Sequence, residues 1–235
     1  MTLTLHALTF DAHDPVRLAQ FWAALMGRKT EGCDVLPDKD TQFRLRFVAS
    51  DRVKDRANQM HFDLSSATPE AQQATVARAL ELGAKHIDIG QRPEELHVVL
   101  ADPEGNEFCV VEAGNNFLAN TDFIGALSSD GSQAVGYFWS KALDWPLVWD
   151  QDEETAIQSP QGGSKISWGG PPVNPKAPKN RLHLDLATPP GGDLQTEVER
   201  LIALGAQRID IGQGDVDWVV LADPDGNEFC VLPPS

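Results

Sequence analysis

The decapeptide LADPEGNEFC, Leu100 to Cys109, is written a second time as LADPDGNEFC, Leu221 to Cys230, with one difference, Glu104 against Asp225. Ten near-identical residues at an offset of 121 in a chain of 235 establish an internal duplication, so every other feature is read two copies at a time. The repeat continues more loosely: QMHFDLSSATP, from Gln59, is answered by RLHLDLATPP, from Arg181, and IDIGQ occurs at Ile87 to Gln91 and at Ile209 to Gln213. Halves of about 115 residues are each large enough for a core of their own. The polar, small-residue stretch AGNNFLANTD, Ala113 to Asp122, is the natural linker, which gives units 1–115 and 122–235.

Lys plus Arg number 19 against 35 Asp plus Glu, a net charge of -16 that repels phosphate backbones and anionic headgroups. Nucleic acid and membrane surfaces are therefore not expected partners. No apolar run approaches the ~18 residues of a membrane span, and the opening MTLTLHALTFDAHD lacks the pattern of a secretory signal. The expected location is cytoplasmic. Cys33, Cys109 and Cys230 are too few and wrongly spaced for a disulfide framework or zinc knuckle, so reduced thiols are expected.

The pattern of elements repeats four times. A strand at Leu3 to Phe10 leads to a helix with Asp14 as N-cap, Pro15 at the first helical position and Gly27 just past the end. Leu18, Phe21, Trp22 and Leu25 recur at helical spacing and form one buried face. Strands follow around Thr30 to Leu36 and Phe43 to Val48. The next unit runs from strand Gln59 to Leu64 through a helix from Thr68 to Leu82, then strands Lys85 to Ile89, Leu96 to Leu100 and Glu107 to Glu112, the last two joined by the DPEG hairpin turn. The second copy offers strand Phe123 to Leu127, a helix from Gly131 to Leu143, strand Arg181 onward and a helix from Leu194 to Leu204. The proline-rich GGPPVNPKAPKN, within Gln161 to Asn180, predicts an extended loop. A helix on one face of a curved sheet in each module leaves the concave face for a ligand.

His61 and Asp63 stand two apart in a strand and so leave the same face, as do His183 and Asp185. Glu107 and Cys109 share a face of the last strand in one copy, Glu228 and Cys230 in the other. If the strands line one cavity, a His, two carboxylates and a thiol converge in each copy, residue types that serve a transition-metal site or acid/base chemistry. The same residues also suit plainer roles: a Cys among Val and Phe packs in a core, a Glu after a turn answers backbone donors, and a His and an Asp satisfy each other. Trp22 and Trp139 sit at packing positions, and His6 and His13 have no counterparts in the second copy. Five of six tryptophans lie in the second copy, so Trp149 and Trp168 are expected to wall a pocket there for a flat or apolar molecule.

The opening LTFDAHDPVRLAQFWAALMG, the strands HFDL and KNRLHLDL, the helix ends ELGA and ALGA, and above all LADPEGNEFCV resemble the glyoxalase-like domains of the vicinal-oxygen-chelate superfamily. That superfamily also includes glyoxalase I, extradiol dioxygenases and bleomycin-resistance proteins. The resemblance covers essentially the whole chain, twice. It implies an α+β fold of two tandem glyoxalase-like domains, each of two βαβββ modules forming a cup-shaped half-barrel sheet.

In metal-dependent members a His, a first-strand residue and a final-strand Glu hold a divalent metal. Carried over by motif, the His falls on His61 and His183, but the final-strand Glu falls on Cys109 and Cys230. The first-strand position falls on Ala7, with His6 one residue off and so expected on the opposite face, and FRLRFVAS supplies no carboxylate. The resemblance thus implies a bleomycin-resistance-like protein that binds a small organic molecule in a metal-free concave pocket, with His61/Asp63 and His183/Asp185 as polar anchors and no cofactor. The alternative is a lyase, isomerase or dioxygenase on an oxygenated small molecule, using Zn, Ni, Fe or Mn on His61 or His183, with Glu107 moving in. Single-domain relatives often dimerise, so a tandem chain stands either as a monomer with that pairing made internally or as a homodimer.

Overall fold

The computed structural model describes residues 2–92, 94–176 and 179–234. Ala177 and Pro178 of the proline-rich loop fall outside them. The first module is β1 (Thr4–Ala12), α1 (Pro15–Met26), β2 (Thr30–Glu31), β3 (Asp34–Val35) and β4 (Arg44–Ala49); the second is β5 (Met60–Leu64), α2 (Pro69–Glu81), β6 (Lys85–His86), β7 (Val98–Ala101) and β8 (Glu107–Val110). The third is β9 (Ile124–Ser129), α3 (Gln133–Leu143), β10 (Leu147–Gln151), β11 (Glu154–Gln158) and β12 (Lys165–Trp168); the fourth is β13 (Leu182–Ala187), α4 (Leu194–Leu204), β14 (Gln207–Arg208), β15 (Val219–Ala222) and β16 (Glu228–Leu232).

The helices begin and end where local chemistry dictates. Asp14 accepts from the Arg17 amide and Pro15 opens α1, which Gly27 closes at a left-handed φ of 69°. Ser132, one residue later than the expected start, caps α3 by accepting from the Val135 amide. One strand expectation needs correction. IDIGQ is a loop, because Asp88 accepts from Gly90 N and Gln91 Oε1 from Ile89 N, both at 2.8 Å, and those local bonds replace a ladder. β12, which ends just before the proline-rich GGPPVNPKAPKN, is paired antiparallel with β11 and parallel with β9.

The strands form two eight-stranded sheets, ordered β14-β15-β16-β13-β1-β4-β3-β2 and β10-β11-β12-β9-β5-β8-β7-β6. Each contains two βαβββ modules, but each draws one from either half of the chain. The first sheet joins modules one and four through the antiparallel pair β1–β13; the second joins modules two and three through β5–β9. The helices sit between the sheets. Trp22 of α1 packs edge-on against Phe62 and Phe108 of the second sheet, both at 5.1 Å, and Trp139 of α3 against Phe229 of the first at 4.9 Å. One continuous apolar core results. Each large side chain so buried contributes about 1.5–3 kcal/mol. The sheet faces away from the helices form two open cups.

Candidate functional site

Register decides which side chains meet in each cup. In the first sheet Arg46, Thr9 and His183 stand side by side on β4, β1 and β13, and the next row along is Ala7, Asp185, Cys230 and Val220. In the second sheet the equivalent rows are Ser167, Ser128 and His61, then Ala126, Asp63, Cys109 and Val99. Parallel pairing of β13 with β16, and of β5 with β8, sets each Asp beside its Cys. The donor atoms of His183, Asp185 and Cys230 all lie within 4.8 Å of one another, as do those of His61, Asp63 and Cys109.

Each carboxylate is held from two sides. Asp185 meets His183 Nε2 at 3.4 Å and accepts from Thr9 Oγ1 at 2.7 Å; Asp63 meets His61 Nε2 at 3.5 Å and accepts from Ser128 Oγ at 2.5 Å. Burial alone would raise both carboxyls, but the imidazoles and hydroxyls outweigh it and hold both below the usual range. The thiols move the other way: burial, then the neighbouring carboxylate, pushes Cys109 and Cys230 far up, so both are protonated at neutral pH.

Glu107 and Glu228 do not join these groups. Glu107 pairs with Lys54 and accepts from Asn58 N, while Glu228 meets Lys176 at 2.9 Å and accepts from Asn180 N at 3.3 Å. Both bind the loops that lead into β5 and β13, a structural duty. His6 is displaced from expectation in the opposite sense. A bulge between Leu5 and Ala7 breaks the alternation, and the half-buried imidazole, its pKa lowered by burial and then by Arg46 and Arg44, also feels Asp185 and Asp34 of the cup floor.

The His183 cup encloses a cavity of about 320 Å³. Thr9, Arg46, His183, Asp185 and Cys230 form its polar side, and Val48, Ile211, Trp218, Val220 and Leu232 its apolar side. Sequence reasoning missed Arg46 and Trp218. Arg46 follows an arginine in a strand that reads as a solvated face, and Trp218 stands in a loop beyond IDIGQ. The Arg46 guanidinium lies 3.7 Å from Asp185 Oδ2 and 3.5 Å from Asp34 Oδ2, and makes no hydrogen bond among the described residues.

The His61 cup is larger and differently charged. Spaces of about 600 and 570 Å³ adjoin His61 and Phe117. Their described lining includes Asp63, Glu94, Glu95, Glu112, Asp130 and Glu154, with no Lys or Arg. Trp149, 37% exposed, meets Phe117 edge-on at 6.0 Å on its wall. Trp168 is 3% exposed and reaches the cavity only by an edge, since its ring packs toward Gly131, where an added Cβ would lie 2.6 Å from it. These tryptophans, from the second half, thus share a cup with His61 from the first.

Whether the trios suit a divalent metal depends on their neighbours. Beside Asp185 the Arg46 cation opposes a second positive charge, so the His183 trio does not fit one. Among the described residues no Lys or Arg forms an ion pair with the His61 trio, Lys165 standing one strand further along the row and turned to the Phe117 carbonyl. An imidazole, a carboxylate and a thiol are a fitting donor set for a borderline-soft ion.

Two cups on one α+β frame define a class of tandem βαβββ proteins, and comparison narrows it. The model of the glyoxalase-like domain family matches residues 7–111 and again 126–232, so the chain belongs to that family. The fold is similar to that of glyoxalase I from Zea mays, with a TM-score of 0.66 at 12% identity over 99% of this chain and 92% of that one. A putative dioxygenase from Bacillus subtilis subsp. subtilis str. 168 gives 0.58 at 14% identity over 99% and 85%. No curated protein sequence matches. Among the described residues no helix is long and apolar enough to cross a membrane.

Proposed function

We propose that this glyoxalase-like protein binds a small organic molecule in the His183 cup without a resident metal. The observation that carries the reading is the cavity of about 320 Å³, polar at Thr9, Arg46 and His183 and apolar at Trp218, Val220 and Leu232. A concave site with an apolar wall and a few convergent polar groups is the ordinary form of a small-molecule pocket. The Arg46 guanidinium, 3.7 Å from Asp185, supports the metal-free form. His183 and Asp185 then act as polar anchors.

Trp218 is the only tryptophan on this cavity among its described lining residues, and so reports on it. Titrating small aromatic fragments into isotopically labelled protein should shift the Trp218 indole resonance, and elemental analysis should find no stoichiometric metal. Failure of every fragment to move Trp218, or a metal lost on His183→Ala, overturns the reading.

A second reading has its own support. The His61, Asp63 and Cys109 donors converge in a cup lined by carboxylates, so a divalent ion held there would polarise an oxygen of a bound molecule. Stoichiometric Zn, Ni, Fe or Mn that disappears in His61→Ala and survives in His183→Ala would favour it.

A further inference from the structure

The two cups are built on the same register but carry different side chains at equivalent positions. Arg46 stands where the other sheet has Ser167, and Trp218 where the other copy has His97. We infer that the His183 cup receives the carboxylate of an amphipathic organic acid, with Arg46 as its binding residue. This rests on the small-molecule reading of that cup and names the class of ligand.

Arg46 is the basic side chain on this cavity that gives no hydrogen bond among the described residues, its guanidinium standing in ion-pair range of Asp34 at 3.5 Å and Asp185 at 3.7 Å. Lys179, the other one, gives hydrogen bonds to both oxygens of Asp11 at 2.9 and 2.8 Å. The carboxylates near Arg46 are themselves engaged, Asp185 by Thr9 and His183 and Asp34 by Arg44 at 2.6 Å. The Arg46 side chain is 32% exposed and lines the cavity. A carboxylate matches a guanidinium fork with two parallel bonds. The apolar side, with Val48, Ile211, Trp218 and Leu232, then takes a hydrocarbon or aromatic body. The His61 cup, acidic and without Lys or Arg on its described lining, repels the same ligand and serves as an internal control.

Calorimetry on the full chain, with phenylpropionate and phenylbutyrate set against their primary amides, tests this directly. The acids should bind about tenfold or more tighter than the amides, as one charged hydrogen-bonded contact allows. Arg46→Ser should erase the difference, Arg46→Lys should keep part of it as a point charge, and Ser167→Arg in the other cup should leave it unchanged; circular dichroism confirms that each variant is folded. Acids and amides that bind alike, a preference that survives Arg46→Ser, or acids that do not bind at all overturn the inference. If the amides still shift Trp218 in those cases, the small-molecule reading stands without it; if nothing shifts Trp218, both fall.

Discussion

Trp22 donates its indole Nε1–H to Asp102 Oδ2 at 3.2 Å, and Trp139 donates to Asp223 at 3.2 Å, so a helix of one sheet is tied to a turn of the other, twice. The same Asp102 accepts from the amides of Glu104 and Asn106, each at 2.9 Å, and so shapes the DPEG turn it begins. Gly105 takes a φ of 86° within that turn. Even the one difference between the decapeptides is structural. Glu104 reaches the amides of His13 and Asp14 ahead of α1, whereas the shorter Asp225 reaches the amide and hydroxyl of Ser132 ahead of α3. The most repeated stretch of the chain is thus a strut that fastens the sheets together.

Trp22→Phe removes a donor from a buried carboxylate and should cost about 1–3 kcal/mol. Trp139→Phe should behave alike, and the double variant should lose roughly the sum, since the sites share no partner. Urea midpoints check this; unchanged midpoints would show that the indole bonds contribute nothing.

Gly136 lies on α3 where an added Cβ would fall 2.0 Å from Thr155 Oγ1. Thr155 is 1% exposed, so Gly136→Ala should overpack the helix–sheet contact at a cost of about 1–3 kcal/mol. Adding Thr155→Gly should return more of the loss than adding Thr155→Ala, whose retained Cβ still lies 2.6 Å from the new methyl. Thermal melts of the single and double variants read both steps, and the absence of rescue would place the strain elsewhere.

Cys109 and Cys230 are buried with thiols pushed up, while Cys33 is only partly buried. Iodoacetamide at mildly alkaline pH should alkylate Cys33 first in the native protein, and peptide mass mapping identifies the site. Equal labelling of Cys109 or Cys230 without unfolding would contradict their protonated, enclosed state.

Burial pushes Asp102 and Asp223 up to about 6, against the weaker pull of their hydrogen bonds. Their folded values lie above the unfolded one of about 3.9. Their contribution is therefore fully present below about pH 4 and is lost as pH rises through about 6, on the order of 3 kcal/mol for each. Asp63 and Asp185 are lowered instead, so their contribution is lost as pH falls below the ordinary carboxylate range. Calorimetric Tm should fall between about pH 5 and 7 and again at strongly acid pH. A Tm that climbs from 5 to 7, with the Asp102 carboxyl resonance titrating in the usual range, would refute the first half.

Helix positions were legible because caps and periodicity are local: Asp14, Pro15 and Gly27 bracket α1, and α4 spans the expected Leu194–Leu204. The His–Asp pairs were legible for the same reason, since two residues apart on a strand is one face. Glu107 and Glu228 misled because sharing a strand face says nothing about which loop folds over one end of it. His6 misled because a bulge breaks the alternation on which facing arguments rest.

The amino-acid sequence by itself determined the duplication, the four modules, the helices and the glyoxalase-like family, all properties of short segments and their repetition. Only the tertiary structure decided which modules share a sheet. β1 pairs with β13 and β5 with β9, contacts between strands far apart in the chain that no local pattern selects. That pairing puts Arg46 from the first module in one row with His183 from the fourth, across Thr9, and Ser167 in one row with His61, across Ser128. The charge that distinguishes the two cups is written in single residues, but it becomes a site only where distant strands lie side by side.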